Sequence, residues 1–157
     1  MIMSVKRVSK LSRAFVGAAL VITGAGPLLA DFVVPRTARQ HLHNPAWPPH
    51  AKFHDAQYVV MGALTGGIGL RVLLRHGGDQ RARFYTAAAL ASVPWLGMFG
   101  ALLFPGTAAT DPEFDDTEPK VLRMHPQLFL ALVLLAGLSG AVAAERARSR
   151  SPRRIGR

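Results

Sequence analysis

The sequence predicts an all-α protein, a four-helix transmembrane bundle with its amino and carboxyl termini both in the cytoplasm. Half of the 157 residues are hydrophobic and only 18% are charged, although the formal net charge is +10. The charges must therefore be segregated from the apolar residues, a pattern that a soluble nucleic-acid binder rarely shows. Four apolar stretches each have about the 20 residues that a helix needs to cross roughly 30 Å of hydrocarbon. They cover residues 14–34, 57–74, 84–104 and 127–144.

These stretches define a membrane domain with a basic segment on either side. The three parts are residues 1–13, 14–145 and 146–157. The last part is rich in arginine and contains serine and proline, so we expect a disordered tail. The first apolar stretch follows basic residues, as in a signal peptide, but the best cleavage position, after Ala30, has Leu28 where a small residue is required. We expect this stretch to be retained as a helix.

The distribution of lysine and arginine predicts the orientation of the helices. The two terminal segments and the connection between the second and third stretches, with their flanks, hold 14 of the 19 basic residues. The other two connections hold five basic residues and, with their flanks, seven of the nine acidic residues. The chain is thus predicted to be a multi-pass protein of the cell membrane, with the lipid bilayer as its partner and both termini cytoplasmic. Gly77-Gly78 suits a tight turn on the inner side.

Small residues and prolines predict how the helices pack. Gly62, Gly66 and Gly69 lie on one stripe of the second stretch, which should contact another helix. Pro27 and Pro94 each remove a backbone hydrogen bond from a spanning helix and should bend it. Such bends can shape a cavity between helices.

The segment HNPAWPPHAKFHDAQ, residues 43–57, is the main candidate site. Pro48 or Pro49 suits the first turn of a helix, because no amide donor is needed there. A helix that begins at either proline carries a polar stripe whose members lie within about 80° of one another, and we expect it to point into the bundle. The stripe contains His50, His54, Gln57, Met61 and Thr65.

The histidines of this stripe predict two kinds of chemistry. Histidine exchanges protons near neutral pH and a carboxylate can orient it, so the candidate catalytic residues are His50, His54 and Asp31. An H-x-x-x-H pair can also hold a divalent metal when a third ligand arrives from elsewhere in the chain. The candidate metal ligands are therefore His50, His54 and His125.

Neighbouring polar and aromatic side chains give the candidate ligand-binding residues Gln57, Trp47 and Tyr58. A simpler interpretation stays open, because histidine and tryptophan also settle at the membrane interface without any further role. The chain has no cysteine, which excludes thiol redox chemistry and thiolate metal sites.

The same segment carries a resemblance to a known family. The resemblance rests on Asn44, Pro45, Trp47, Pro48, His50, Phe53 and His54, together with HPQLFLALVLL at the start of the fourth stretch. The chain resembles uncharacterised small four-span membrane proteins of bacteria and fungi, some of which carry an acetyltransferase label. The resemblance implies this topology and no established activity. Acetyl transfer by a soluble-type acyl-CoA-binding fold would need a mixed sheet and a phosphate-cradling loop, and the sequence predicts neither.

Two functions remain open. In the first, a lipid-like ligand or substrate enters sideways between the helices and meets His50 and His54 at the outer face. A structure in which these histidines face lipid or water, without converging on another polar group, would count against it. In the second, the chain is an accessory subunit that packs on a partner or on a second copy through a small-residue stripe, such as Gly137 with Gly140 or Ala141.

Overall fold

The computed structural model describes residues 8–150, and within this range the chain forms four long helices. The elements are α1 (Lys10–Leu28), a π-helical turn (Leu29–Val33) that continues α1, α2 (Pro35–Gln40), α3 (Pro49–Leu74), α4 (Gln80–Ala101) and α5 (Pro126–Arg150). Each of α1 with its π-helical turn, α3, α4 and α5 is long and apolar enough to cross a membrane. The predicted all-α, four-helix transmembrane class is thus confirmed, and the orientation of the termini stays a prediction.

The helices extend beyond the apolar stretches that predicted them. α3 begins at Pro49, with Pro48 in extended conformation before it, as the proline pair predicted. α5 continues to Arg150, so residues 146–150 of the predicted disordered tail are helical. Hydropathy marks only the part of a helix that suits hydrocarbon, whereas backbone hydrogen bonding continues into polar sequence. Residues 1–7 of the basic segment and residues 151–157 of the tail lie outside the described residues.

α1 and α4 form the centre of the bundle. They contact each other, and α3 and α5 each contact both of them without contacting one another. The side chains of Leu20, Phe84 and Leu138 are fully enclosed where these helices meet. The outward sides of the helices carry exposed apolar residues such as Val21, Leu64 and Val133, which suits a lipid environment.

The predicted glycine stripe of α3 is the contact surface for α1. Gly62, Gly66 and Gly69 are all buried. A Cβ atom added at Gly66 would lie 2.8 Å from the Cα of Gly24, so the two backbones are in direct contact there. This close approach is the kind of packing that holds helices together in hydrocarbon.

Thr23 joins three of the four long helices. Pro27 has no amide hydrogen and cannot donate to the Thr23 carbonyl one turn earlier. Gly62 of α3 packs against this carbonyl, since a Cβ added there would lie 3.0 Å from its oxygen. The Thr23 hydroxyl accepts a buried hydrogen bond of 3.0 Å from the indole of Trp95 on α4. The turn of α1 before Pro27 is therefore packed against α3 and hydrogen bonded to α4.

The arginine end of the bundle comprises the start of α1, the turn over residues 75–79 and the end of α5. Gly77 and Gly78 take positive φ values in the predicted tight turn. Asp79 caps α4 by accepting hydrogen bonds from the amides of Ala82 and Arg81, and these bonds lower the pKa of its carboxyl. Arg13 of α1 donates to the carbonyl of Leu73 at 2.7 Å, which holds this turn against α1.

Gly137 of α5 packs inside the chain and not on its surface. A Cβ added to Gly137 would overlap the ring of Phe15 on α1, whereas a Cβ added to Gly140 meets open space. The predicted small-residue stripe on α5 is therefore divided between contact with α1 at Gly137 and an open position at Gly140.

Candidate functional site

A cavity of about 560 Å³ lies at the opposite end of the bundle. We call this end the histidine end and define it by the two connections over residues 34–48 and 102–125. The cavity lies between α3 and α4 beneath these connections and reaches the start of α5. Its volume is within the range of about 300–1,000 Å³ that small-molecule sites usually have.

The wall of the cavity within the membrane-spanning helices is largely apolar. It includes Met61, Val93, Pro94, Met98 and Leu128. Met61 of α3 and Val93 of α4 line the cavity, yet each is 57% exposed. The cavity therefore opens sideways between α3 and α4, at a level where a bilayer would present hydrocarbon.

Polar and aromatic side chains line the cavity at its histidine end. They are Gln40, His41, Trp47, Asp55, Tyr58, Thr107, Thr110, Asp111, Phe114, His125 and Gln127. One end of the cavity is thus polar and the other is apolar. Ligand sites commonly combine an apolar wall with a few polar groups that fix the orientation of the ligand.

A close pair of His41 and Asp31 lies at this polar end. Asp31 is in the π-helical turn, where the amide of Val34 donates to the carbonyl of Leu29, and it is buried. Pro35 then starts α2, which ends beside His41. The His41 Nδ1 and Asp31 Oδ1 atoms lie 2.6 Å apart, and neither has another hydrogen-bond partner among the described residues.

The pair with Asp31 stabilises the protonated form of His41. Close contact with the carboxylate of Asp31 raises the pKa of His41 above its usual value, although burial of the imidazole opposes part of this rise. His41 lines the cavity, whereas Asp31 lies behind it. The arrangement can present a proton to a bound molecule or accept one from it.

Asp55 and Tyr58 reach the cavity because of their register on α3. Asp55 is seven residues before Gly62, so the two lie within about 20° of each other around the helix, on the side that faces the bundle. The Asp55 Oδ2 atom is enclosed, and no described residue donates a hydrogen bond to it. This carboxyl also takes part in no ion pair within residues 8–150.

Hydrogen bonds between the two connections close the histidine end. Trp47 donates from Nε1 to Asp111 Oδ2 at 2.8 Å, and Asn44 donates to Glu113 Oε1 at 2.8 Å. Gln40 donates to Glu118 Oε2 at 2.6 Å. The first connection therefore supplies the donors and the acidic second connection the acceptors, which explains why the acidic residues are concentrated there.

His125 completes this network beside α5. Its Nε2 atom lies 3.6 Å from Glu118 Oε1. Burial lowers the pKa of His125, although the carboxylate of Glu118 opposes this effect. His125 therefore favours its neutral form, in contrast to His41.

His50 and His54 lie in the first two turns of α3, outside the cavity. Both are exposed and neither lines it. Their Nε2 atoms are 3.1 Å apart, and His54 Nδ1 is 3.4 Å from Gln57 Oε1, also on an exposed residue. His50 and His54 do not converge on Asp31 or His125, because Asp31 pairs with His41 and His125 with Glu118. Met61 and Thr65 of the same predicted stripe do line the cavity.

The physical reason is position along α3 and not angle around it. His54 lies within about 20° of both Met61 and Thr65 around the helix. Met61 and Thr65, farther along the same stripe, line the cavity. His50 and His54 lie in the first two turns of α3, before the cavity begins.

The three predicted metal ligands are not brought together. No group of three histidine, aspartate or glutamate side chains among residues 8–150 is arranged to hold a metal ion. His50 and His54 approach each other, but His125 lies at the cavity. Of the predicted ligand-binding residues, Trp47 and Tyr58 line the cavity and Gln57 does not. The sequence interpretation missed Gln40 and His41 as lining residues.

Comparison with known proteins gives one match. Residues 15–154 match the family described as "Family of unknown function (DUF6640)". No curated protein and no solved structure matches the chain significantly.

Proposed function

The chain belongs to the family of unknown function DUF6640, and from its cavity we propose that it is a membrane protein that binds a lipid-like ligand or substrate at the histidine end. The polar end of the ligand would lie against His41, Asp55 and Tyr58. Its hydrocarbon part would lie between α3 and α4. The acetyltransferase label that the resemblance carries forms no part of this proposal.

The observation that carries the proposal is the amphipathic cavity with a sideways opening. A water-soluble ligand would gain little from walls formed by Met61, Val93 and Met98. A lipid-like molecule can enter from the bilayer between α3 and α4 without leaving the hydrocarbon. The polar groups at the far end of the cavity then fix its head group.

The proposed orientation places the histidine end on the outer side of the cell membrane, away from the cytoplasm. The sequence supports this, because 14 of the 19 basic residues belong to the two terminal segments and the connection between α3 and α4 with their flanks. Seven of the nine acidic residues belong to the other two connections and their flanks. The amino and carboxyl termini would both be cytoplasmic. The ligand would therefore enter from the outer leaflet.

His41 replaces His50 and His54 as the proposed proton-exchanging residue. It lines the cavity and is held by Asp31, which is itself buried. His50 and His54 retain their predicted interfacial role, since they are exposed at the start of a spanning helix. We propose no metal for the cavity.

Filling the cavity tests the proposal. Gly97 lines the cavity and an added Cβ there meets nothing within 4 Å, so Gly97→Phe should place its ring in the ligand space without disturbing the helices. We expect binding of oleyl alcohol to weaken about tenfold or more, because the ring and the alkyl chain compete for the same volume. Native mass spectrometry of the protein in a neutral detergent measures the bound fraction.

Gly67 provides the matched control. It also lies on a spanning helix, an added Cβ there meets nothing within 4 Å, and it does not line the cavity. Gly67→Phe should bind oleyl alcohol as the unsubstituted protein does. Equal binding by the Gly97→Phe variant and the unsubstituted protein would contradict the proposal.

The accessory-subunit alternative depends on an open small-residue surface. Gly137 is already covered by Phe15, and only the neighbourhood of Gly140 stays open on this stripe of α5. A partner that copurifies in a fixed ratio, and that is lost on Gly140→Leu substitution, would favour this alternative over ligand binding.

A further inference from the structure

The ionisable groups at the polar end of the cavity are two carboxyls, two imidazoles and one phenol. The ionisable side chains that line it are His41, Asp55, Tyr58, Asp111 and His125. No lysine or arginine in the described part of the chain lines the cavity. The lining therefore offers little to attract a carboxylate or a phosphate.

Among the described residues that line the cavity, His41 is the side chain held in a cationic form, and Asp31 already balances its charge. The imidazole of His41 lies 2.6 Å from Asp31, and Asp31 is itself enclosed. A second carboxyl, that of Asp55, lies on the same side of α3 as the glycine contact and forms no ion pair within residues 8–150. Asp55 thus lines the cavity with an enclosed oxygen that no described residue donates a hydrogen bond to.

Aromatic rings surround the same region. Trp47, Tyr58 and Phe114 line the cavity. The indole of Trp47 is held by its hydrogen bond to Asp111, which also lines the cavity. Aromatic faces together with carboxylates are the usual surroundings of an ammonium group in proteins, because both attract a cation and the rings exclude water.

From these observations we propose that the cavity selects a single-chain amphiphile with an ammonium head group, that is, a protonated long-chain amine. The ammonium would lie between Asp55 and Asp111 and contact the rings of Trp47 and Tyr58. The alkyl chain would follow Met61 and extend toward the opening between α3 and α4. This inference rests on the proposed function, since it specifies which lipid-like molecules the cavity accepts.

Three ligands with the same chain and different head groups test this inference. Oleylamine, oleyl alcohol and oleic acid are titrated separately at neutral pH into the full chain in a neutral detergent, and native mass spectrometry gives the bound fraction. We expect oleylamine to bind about tenfold or more tightly than oleyl alcohol, and oleic acid to bind most weakly, because charge complementarity governs the discrimination. Gly97→Phe should weaken the binding of oleylamine and oleyl alcohol alike.

Removing the unpaired carboxyl should remove the preference. The Asp55→Asn variant should bind oleylamine with nearly the same affinity as oleyl alcohol. Its binding of oleyl alcohol should persist, and this persistence shows that the variant is folded. Asp115→Asn is the matched control, because Asp115 is exposed, pairs with Lys120 and does not line the cavity. If Asp55→Asn fails to fold, Asp111→Asn reports on the same preference from a position on the exposed connection.

The outcomes separate the two proposals. If oleic acid binds as tightly as oleylamine in the unsubstituted protein, or if Asp55→Asn and Asp111→Asn both keep the full preference, the inference about the head group is overturned and ligand binding in the cavity stands. If none of the three molecules binds, or if Gly97→Phe binds all of them normally, the proposed function itself is overturned.

Discussion

Replacing Gly66 with alanine should destabilise the bundle by about 1–3 kcal/mol, the usual effect of overpacking a close contact. An added Cβ would lie 2.7 Å from the carbonyl oxygen of Leu20 and 2.8 Å from the backbone of Gly24. These neighbours are main-chain atoms of α1, so a side-chain rotation cannot relieve the overlap and α1 must move away from α3. The midpoint of thermal unfolding in detergent, followed by circular dichroism, measures the effect.

Gly67 is the control for this substitution, since its Cβ position is open. Gly67→Ala should be neutral or slightly stabilising, because alanine favours the helix more than glycine does. Gly62→Ala should fall between the two, since its Cβ would lie 3.0 Å from the Thr23 carbonyl. Equal unfolding midpoints for the Gly66→Ala and Gly67→Ala variants would show that α1 and α3 are not in backbone contact.

Replacing Glu145 with alanine should destabilise the protein by about 1–3 kcal/mol, the range for leaving buried donors without an acceptor. Glu145 is the most polar of the fully enclosed side chains, with no exposed area. Its Oε1 atom accepts from the Ser12 hydroxyl at 2.9 Å and from the Ser9 amide at 3.1 Å. The carboxylate thus joins the end of α5 to the first turn of α1, where a negative charge also suits the helix dipole.

Glu145→Gln separates the hydrogen bonds from the charge. Glutamine keeps an acceptor oxygen at the same position. We therefore expect Glu145→Gln to lower the stability by less than half as much as Glu145→Ala does. Thermal unfolding of both variants, compared with the unsubstituted protein, measures the difference. If the Glu145→Ala variant unfolded at the same temperature as the unsubstituted protein, the contact between α5 and the start of α1 would have no stabilising role.

The sequence predicted the helices and one contact well because these depend on regular patterns. Apolar length predicted four spans, and the spacing of Gly62, Gly66 and Gly69 predicted the surface that contacts α1. Asp55 lies seven residues before Gly62, so the same periodicity places it on the side of α3 that carries the glycines. Measuring the angle of each polar residue from the glycine stripe would have selected Asp55 over His50.

His41 could not be found in this way because it lies in a connection. Its pairing with Asp31 depends on the π-helical turn after Pro27 and on the short helix α2, which together return the chain over the end of the bundle. Periodicity assigns faces to residues within a helix and says nothing about where an irregular segment folds back. Glu118 is a similar case, since its partners Arg36 and Gln40 belong to α2 and its partner His125 directly precedes α5.

The location of a bound amphiphile tests the central claim most directly. A photoactivatable analogue of oleyl alcohol is crosslinked to the protein in lipid vesicles, and the labelled residues are identified by mass spectrometry with and without excess oleyl alcohol. We predict that label removed by this competition lies on Tyr58, Met61, Val93 and Met98, which line the cavity. Label confined to the lipid-facing side of α5, such as Leu132 and Val133, and unaffected by competition would contradict the claim.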